Sequence, residues 1–466
     1  MNCSHRTAGG LVKTIFISGR CLFHFIVLLA IGVLAGPAMG QHVNLQNATA
    51  DNTQNTFVVG ALTDGLYPTS NTGADGWAGA TGGGVGGTPS LTSVFETTSD
   101  LDFSDGGTIR FNTFSGWSSS HTLGSFRYSY TTDDRSTFAD GLNSGGDITA
   151  NWVQITPLSA TATNGVTLAI QGDNSVLSGG ADPNRTTTTV TANLGPIASG
   201  ITGFRLEALE NGALPSSGPG RAGNGNWVAR ELDVSAFAGK QQVGLQNATA
   251  LRSQTNFSVD NAIDGQFPHI DVVGVGWANN GEGDNVAVFE TTAPISGHPF
   301  GSNLTAELFA GGFTASHTLA SFRISATTAD QSLFADGADN SGLIGPDEIW
   351  TVLDPISIVS DNPTSTFTIN PDGSILAGGT PGQYELYTID FATNLTDITG
   401  FRLEAFEDPS LPFNGPGFAS GNGNFVVREF SVFQSALAPE PASIAIWSLI
   451  GMALAGFGCY RARRNK

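Results

Sequence analysis

The chain has 466 residues, room for roughly two to four domains, with only 13% charged residues and a formal net charge of −21. That balance excludes a surface for nucleic acid or anionic lipid, since both partners are polyanions. The three cysteines, Cys3, Cys21 and Cys459, lie in the end segments, which excludes a disulfide framework and a Cys-ligated zinc site from the body.

At the N-terminus, Arg6, Lys13 and Arg20 precede an apolar run over residues 21–35 and then Ala38-Met39-Gly40. This order reads as a secretory signal helix over residues 1–40, cut before Gln41. The alternative, a retained membrane helix, is disfavoured because the run falls short of the roughly 20 residues a span needs.

The body is written twice. ITGFRLEA occurs at residues 201–208 and again at 398–405, and each copy runs on through a Gly-Pro-Gly to an Asn-Gly. Earlier fixed points repeat as well. Gln46-Asn47-Ala48-Thr49-Ala50 matches Gln246-Asn247-Ala248-Thr249-Ala250, Asp64-Gly65 matches Asp264-Gly265, and Trp77 matches Trp277. His121-Thr122-Leu123 matches His317-Thr318-Leu319, and Phe138-Ala139-Asp140-Gly141 matches Phe334-Ala335-Asp336-Gly337. A repeat of this length defines one module in two copies, over residues 41–239 and 243–434. Lys240-Gln241-Gln242 between them is short, so the modules are expected to touch.

With 61 glycines and abundant Thr, Ser and Asn, the body suits short strands joined by turns, and it lacks long helical periodicity. Phe126, Tyr128 and Tyr130 alternate, as do Phe204, Leu206 and Ala208, which places each set on one face of a strand. Arg205 and Glu207, like Arg402 and Glu404, then sit on the opposite face and can pair. Asn224-Gly225 and Asn422-Gly423 favour tight turns. The expected fold class is all-β, an antiparallel sandwich in each copy.

At the C-terminus, Pro439-Glu440-Pro441 opens an uncharged run over residues 442–460, closed by Arg461, Arg463, Arg464 and Lys466. The run is long enough to cross a bilayer as a transmembrane helix, with its basic end on the cytoplasmic side.

The order Pro-Glu-Pro, apolar helix, arginine cluster over residues 439–466 resembles the PEP-CTERM sorting signal of bacteria. The resemblance implies recognition by an exosortase, removal of the tail and a link to extracellular polysaccharide. In the body, Asn-Ala-Thr-Ala followed by Asp-Gly and Gly-Trp resembles the opening of discoidin-type (F5/8 type C) domains. Arg230-Glu231-Leu232-Asp233-Val234 resembles their closing strand. HTLGSFR at residues 121–127, DGSILAGG at 372–379 and GFRLEA resemble a module repeated in planctomycete surface proteins. Both likenesses imply two tandem galactose-binding-like jelly rolls. The first copy departs from the pattern at Asp173-Asn174-Ser175, where the second has Asp372-Gly373-Ser374, and at Thr63, where the second has Ile263.

The discoidin likeness implies a calcium ion held by Asp64 with Glu231 and by Asp264 with Glu429. The chemistry suits a hard cation that takes oxygen ligands; the alternative is that the two aspartates only set turns. His121 with Arg127, and His317 with Arg323, recur as groups that either hydrogen-bond a sugar ring or hold a loop to the sheet. Trp77 and Trp277 either stack on a sugar face or are buried beside the Asp-Gly loop. HExxH, GxSxG and Walker motifs are absent from the sequence, and the expectation is no enzyme. Paired carboxylates for glycoside hydrolysis need no local spacing, so a glycan-active enzyme stays an alternative. The reading is an exported, non-enzymatic surface or matrix protein whose partner is extracellular polysaccharide or cell-envelope glycan; the second alternative is a purely structural surface-layer protein. An open aromatic groove near Trp77 favours the first, and buried tryptophans favour the second.

Overall fold

The computed structural model describes residues 41–435 except 55, 69, 72–74, 80–89, 269–273, 280–282, 297–301 and 314–315. The signal segment over residues 1–40, Pro439, Glu440, Pro441 and the tail after them lie outside the described residues. Among the described residues, no helix is long and apolar enough to cross a membrane.

The described chain is all-β, with antiparallel strands and short 3-10 turns. In the first copy, one sheet runs in the order Gln41–His42, Val228–Ala238, Gly107–Gly116, Arg185–Leu194 and Ser159–Ala162. The other runs Leu45–Ala50, Leu91–Leu101, Ile201–Ala208, Ser125–Thr131, Val176–Gly180 and Val166–Ile170. The second copy repeats both orders. Its first sheet is Lys240–Val243, Val426–Ser435, Ser302–Gly311, Tyr384–Thr393 and Pro355–Ser360. Its second is Leu245–Ala250, Asn285–Ile295, Ile398–Ala405, Ser321–Thr327, Ile375–Gly379 and Ser365–Ile369.

Alternation along the strands supplies the core. Phe126, Phe204, Leu206 and Ala208 are fully buried and join Phe111, Val190 and Val234 of the facing sheet in one cluster. Tyr130 is only partly buried against that cluster. Phe289, Phe322 and Phe401 meet Phe391, Phe430 and Val432 in the same way in the second copy. Burying such side chains, at about 1.5–3 kcal/mol each, holds the sheets together without a crosslink. On the opposite face the expected pairs form: Arg205 Nη2 lies 3.1 Å from Glu207 Oε2, and Arg402 Nη2 lies 2.8 Å from Glu404 Oε1. Gly225 and Gly423 take φ of +76° and +68° in the Asn-Gly turns, a conformation that glycine reaches without strain.

Lys240-Gln241-Gln242 does more than connect. Lys240–Val243 is a strand of the second copy, paired with Val426–Ser435, and Gly239 alone separates it from Val228–Ala238. Lys240, the one lysine between residues 41 and 438, is buried and ion-paired to Asp390 at 2.8 Å.

The copies meet through the outer faces of their first sheets. Arg110 Nη1 pairs with Glu307 Oε2 at 2.6 Å, with both side chains almost fully enclosed. The Arg110 guanidinium lies 3.9 Å from the Phe267 ring centre, and Phe237 stacks on Phe433 with centroids 3.8 Å apart. Thr161 Oγ1 donates to the Gly265 carbonyl at 2.7 Å, and Gln242 N–H donates to Thr108 Oγ1 at 3.1 Å.

Candidate functional site

The closing strand of each copy carries two successive charged residues, Arg230-Glu231 and Arg428-Glu429. In a regular strand, neighbours point to opposite faces, so one charge would enter the core. A bulge between Ala229 and Glu231 breaks the register with Gly107–Gly116, and another lies at the same place in the second copy. A bulge re-aims side chains, and here it turns both charges toward the loop that follows the Asp-Gly.

Arg230 is fully buried and donates from Nη1 to the carbonyls of Pro68 at 2.6 Å and Ser70 at 2.9 Å. Its guanidinium faces the Trp117 ring at 4.5 Å. Burial lowers its pKa to about 10, so it stays a cation. Arg428 does the same work with the carbonyls of Pro268 and Gly311, at 3.1 and 2.7 Å. Sequence reasoning passed over both arginines. The signal was there: two adjacent charges, repeated at the same place in both closing strands.

Glu231 reaches the Asp-Gly loop itself. Leu66 N–H donates to Asp64 Oδ1 at 2.9 Å and to Glu231 Oε2 at 3.1 Å. In the second copy, Gln266 N–H donates to Asp264 Oδ1 at 2.9 Å, and Gly265 N–H donates to Glu429 Oε2 at 2.9 Å. The structure therefore brings Asp64 to Glu231 and Asp264 to Glu429, and each aspartate also sets a turn. Burial, and then the neighbouring Asp64, push Glu231 up to about 9. Burial pushes Asp264 up to about 7. Glu429 is raised well above its ordinary value by burial and by Asp264. Two adjoining carboxyls without a salt bridge of their own favour a shared proton or a bound cation. Their oxygens suit calcium, although among the described residues no three His, Cys, Asp or Glu side chains gather into a metal cluster.

The other expected site residues serve the fold. Trp77 and Trp277 have no exposed surface, so neither can stack on a sugar. Their Nε1–H groups donate to the carbonyls of Asn52 and Arg252, both at 2.9 Å, and their rings pack edge-on against Trp227 and Phe425. Arg127 makes a two-pronged contact with Glu207 on the adjoining strand, at 2.9 and 3.2 Å. Arg323 does so with Glu404, at 2.9 and 3.1 Å. His121 bonds through Nδ1 to the Ser118 carbonyl in its own loop, and His317 sits 3.2 Å from the Gly312 carbonyl. The backbone of that loop is tied to the closing strand, Val228 N–H donating to the His121 carbonyl at 2.9 Å. Each histidine thus engages its own loop, while each arginine engages the next strand. The side chains at these positions brace the loop locally and tie neighbouring strands together.

The open ground lies between the copies. On one side of the interface, the Gly265 loop closes on Thr161 of the first copy. The Gly65 loop of the first copy and the Asp361 region of the second both border an open space. A cleft of about 590 Å³ remains there, with walls that include Tyr67, Asn112, Asp233, Asp361, Gln383 and Tyr384. Glu231 also reaches it, so the Asp64–Glu231 pair stands at its edge. The aromatic rings and the amide and carboxyl groups converge on the cleft because two modules each contribute part of the wall. Sequence patterns within one module could not reveal it.

No family model matches the chain, and no curated protein matches it. Among solved structures, it has a likeness to the N-terminal CBM22-1-CBM22-2 tandem domain from Paenibacillus barcinonensis Xyn10C. The identity is 10%, the match covers 73% of this chain and 86% of that one, and the TM-score is 0.15.

Proposed function

We propose that this chain is an exported, non-enzymatic surface or matrix protein that binds carbohydrate, with extracellular polysaccharide or cell-envelope glycan as its partner. The carrying observation is the cleft between the copies, whose size falls in the range of small-molecule sites and whose walls combine aromatic rings with amide and carboxyl groups. In each copy, Leu91–Leu101 or its counterpart pairs with Ile201–Ala208 or its counterpart, while Gly107–Gly116 or its counterpart pairs with Arg185–Leu194 or its counterpart. This order supports a jelly roll, a fold found among lectin domains. The N-terminal segment directs export. Residues 439–466 anchor the chain in the inner membrane until an exosortase removes them. Calcium at Asp64–Glu231 and Asp264–Glu429 would stiffen the two Asp-Gly loops, the first of which borders the cleft.

The buried Trp77 and Trp277 favour the second reading, a structural surface-layer protein without a sugar site. Calorimetric titration of the purified protein with a panel of polysaccharides and oligosaccharides separates the two. Saturable binding of one ligand per chain is expected, because the cleft is shared by the two copies and not repeated in each. No heat with any glycan would leave the structural reading.

A further inference from the structure

Glycan binding at the cleft leaves the sugar class open, and the cleft walls narrow it. Resting on that glycan-binding reading, we propose that the cleft takes a sugar bearing a free amine, its ammonium seated between Asp233 of the first copy and Asp361 of the second, its ring against Tyr67 and Tyr384.

The cleft is far larger than a bare ion needs. A space of about 590 Å³ holds a molecule, and its aromatic rings favour an organic cation, since ammonium groups are attracted to ring faces.

Charge gives the sign. Asp233 and Asp361 contribute carboxyls to the walls. The guanidinium in the wall, Arg110, is committed to Glu307 at 2.6 Å and to the Phe267 ring. Desolvation lowers the His42 imidazole, leaving it neutral at pH 7. An excess of carboxyls disfavours uronates, sulfates and phosphates and attracts an ammonium.

The placement of Asp233 is the particular observation. Its carboxyl has no hydrogen bond or ion pair among the described residues, although the side chain is half-buried. Asp361 keeps exposed surface onto the cleft. It accepts from Leu386 N–H at 2.9 Å and from Ser360 Oγ at 3.3 Å, both on Oδ1, and its pKa is raised to about 6, chiefly by burial. A cation between the two would offset the desolvation that each suffers. The fold does not require this acid. At the equivalent position of the second copy stands Ser431, one residue before Val432, as Asp233 stands one before Val234. The carboxylate belongs to the cleft and not to the module.

The test is calorimetric titration of the full chain with tetramers of glucosamine, N-acetylglucosamine, glucose and galacturonate, at pH 7 and fixed salt. The glucosamine tetramer should bind at least roughly tenfold tighter than the two neutral tetramers, the difference one charge-assisted contact supplies, and the galacturonate tetramer should not bind. Asp233→Ser, which installs the residue the second copy already tolerates, and Asp361→Asn should each remove that preference while leaving the melting temperature unchanged or raised. Equal affinity for the glucosamine and glucose tetramers overturns the amine preference and leaves carbohydrate binding standing. Glucosamine binding retained by both variants, as general surface acidity would give, overturns the site. Absence of binding to all four tetramers and to the wider glycan panel overturns the carbohydrate reading, and this proposal with it.

Discussion

Glu307→Gln tests whether the two copies are locked together by charge. Glu307 and Arg110 are 2% and 3% exposed, and their charged atoms lie 2.6 Å apart. The amide keeps the shape and one acceptor oxygen but removes the anion. Arg110 then remains buried as a cation against the Phe267 and Phe237 rings and Ser235 Oγ. Breaking one side of a buried pair costs about 3–5 kcal/mol, because the desolvation of the survivor is no longer offset. The rings return part of it, up to about 2 kcal/mol for a desolvated cation–π contact, but they do so in the wild type too and cannot replace the carboxylate. The expected loss is therefore about 3 kcal/mol, the low end of that range. Arg110→Met combined with Glu307→Leu removes both charges and should recover most of it, since apolar replacements of buried pairs are often neutral or better. Urea unfolding followed by tryptophan fluorescence gives the free energy and slope for the wild type and each variant. A Glu307→Gln loss below about 1 kcal/mol, the range of a solvated surface pair, would refute the reasoning. So would a double variant less stable than the single one.

The buried carboxyls make stability depend on pH. Glu231, Asp233 and Asp264 have folded pKa values raised to about 9, 7 and 7, so the folded state binds their protons more tightly than the unfolded chain does. Their stabilising contribution is complete below the ordinary carboxylate range and is lost as pH rises through 7 to 9. The melting temperature in chelator should fall between pH 5 and pH 9, and Glu231→Gln should flatten that fall. Calcium at pH 8 should raise the melting temperature of the wild type more than that of a Glu231→Gln, Glu429→Gln variant, and an identical melting curve with calcium and with chelator would remove the ion. Gly203→Ala should cost about 1–3 kcal/mol or more by overpacking, because a Cβ there would lie 2.5 Å from Phe138 Cζ and 2.8 Å from the Phe95 carbonyl oxygen; thermal denaturation reads it directly.

The layout of the body was legible from the repeats, and the strands were legible from alternation, because each sheet buries one face and a period of two follows. Phe204, Leu206 and Ala208 on one side, with Arg205 and Glu207 on the other, illustrate this. The pairing of Glu231 with the Asp64 loop came from the resemblance to discoidin-type domains and not from the repeats themselves. The roles of the paired histidines and arginines were not legible. Recurrence marks a residue that both copies need, and a copy needs its loop anchors as much as a binding group. Arg127 and Arg323 recur because each neutralises a glutamate on the next strand. The cleft was invisible for a different reason: its walls come from both copies, and a pattern read within one copy does not show how the two meet.

Those differences fall into a pattern. Register along the first sheets sets Arg110 opposite Ser235 in the first copy, and sets Thr305 opposite Phe433 at the equivalent place in the second. Two residues on, the first copy has Asn112 and the second Glu307. The inward positions between them stay apolar, Phe111 in one copy and Ala306 in the other. The outward positions have become complementary: the cation of the first copy meets the acid of the second, and Phe237 of the first meets Phe433 of the second. Two identical copies could not do this. With Asn in place of Glu307, the Arg110 guanidinium would be buried against an amide, at a cost of several kcal/mol. The two modules are therefore no longer interchangeable beads on a string. Each has specialised to cover the other, and the cleft with its unmatched Asp233 is the part of that shared face left open.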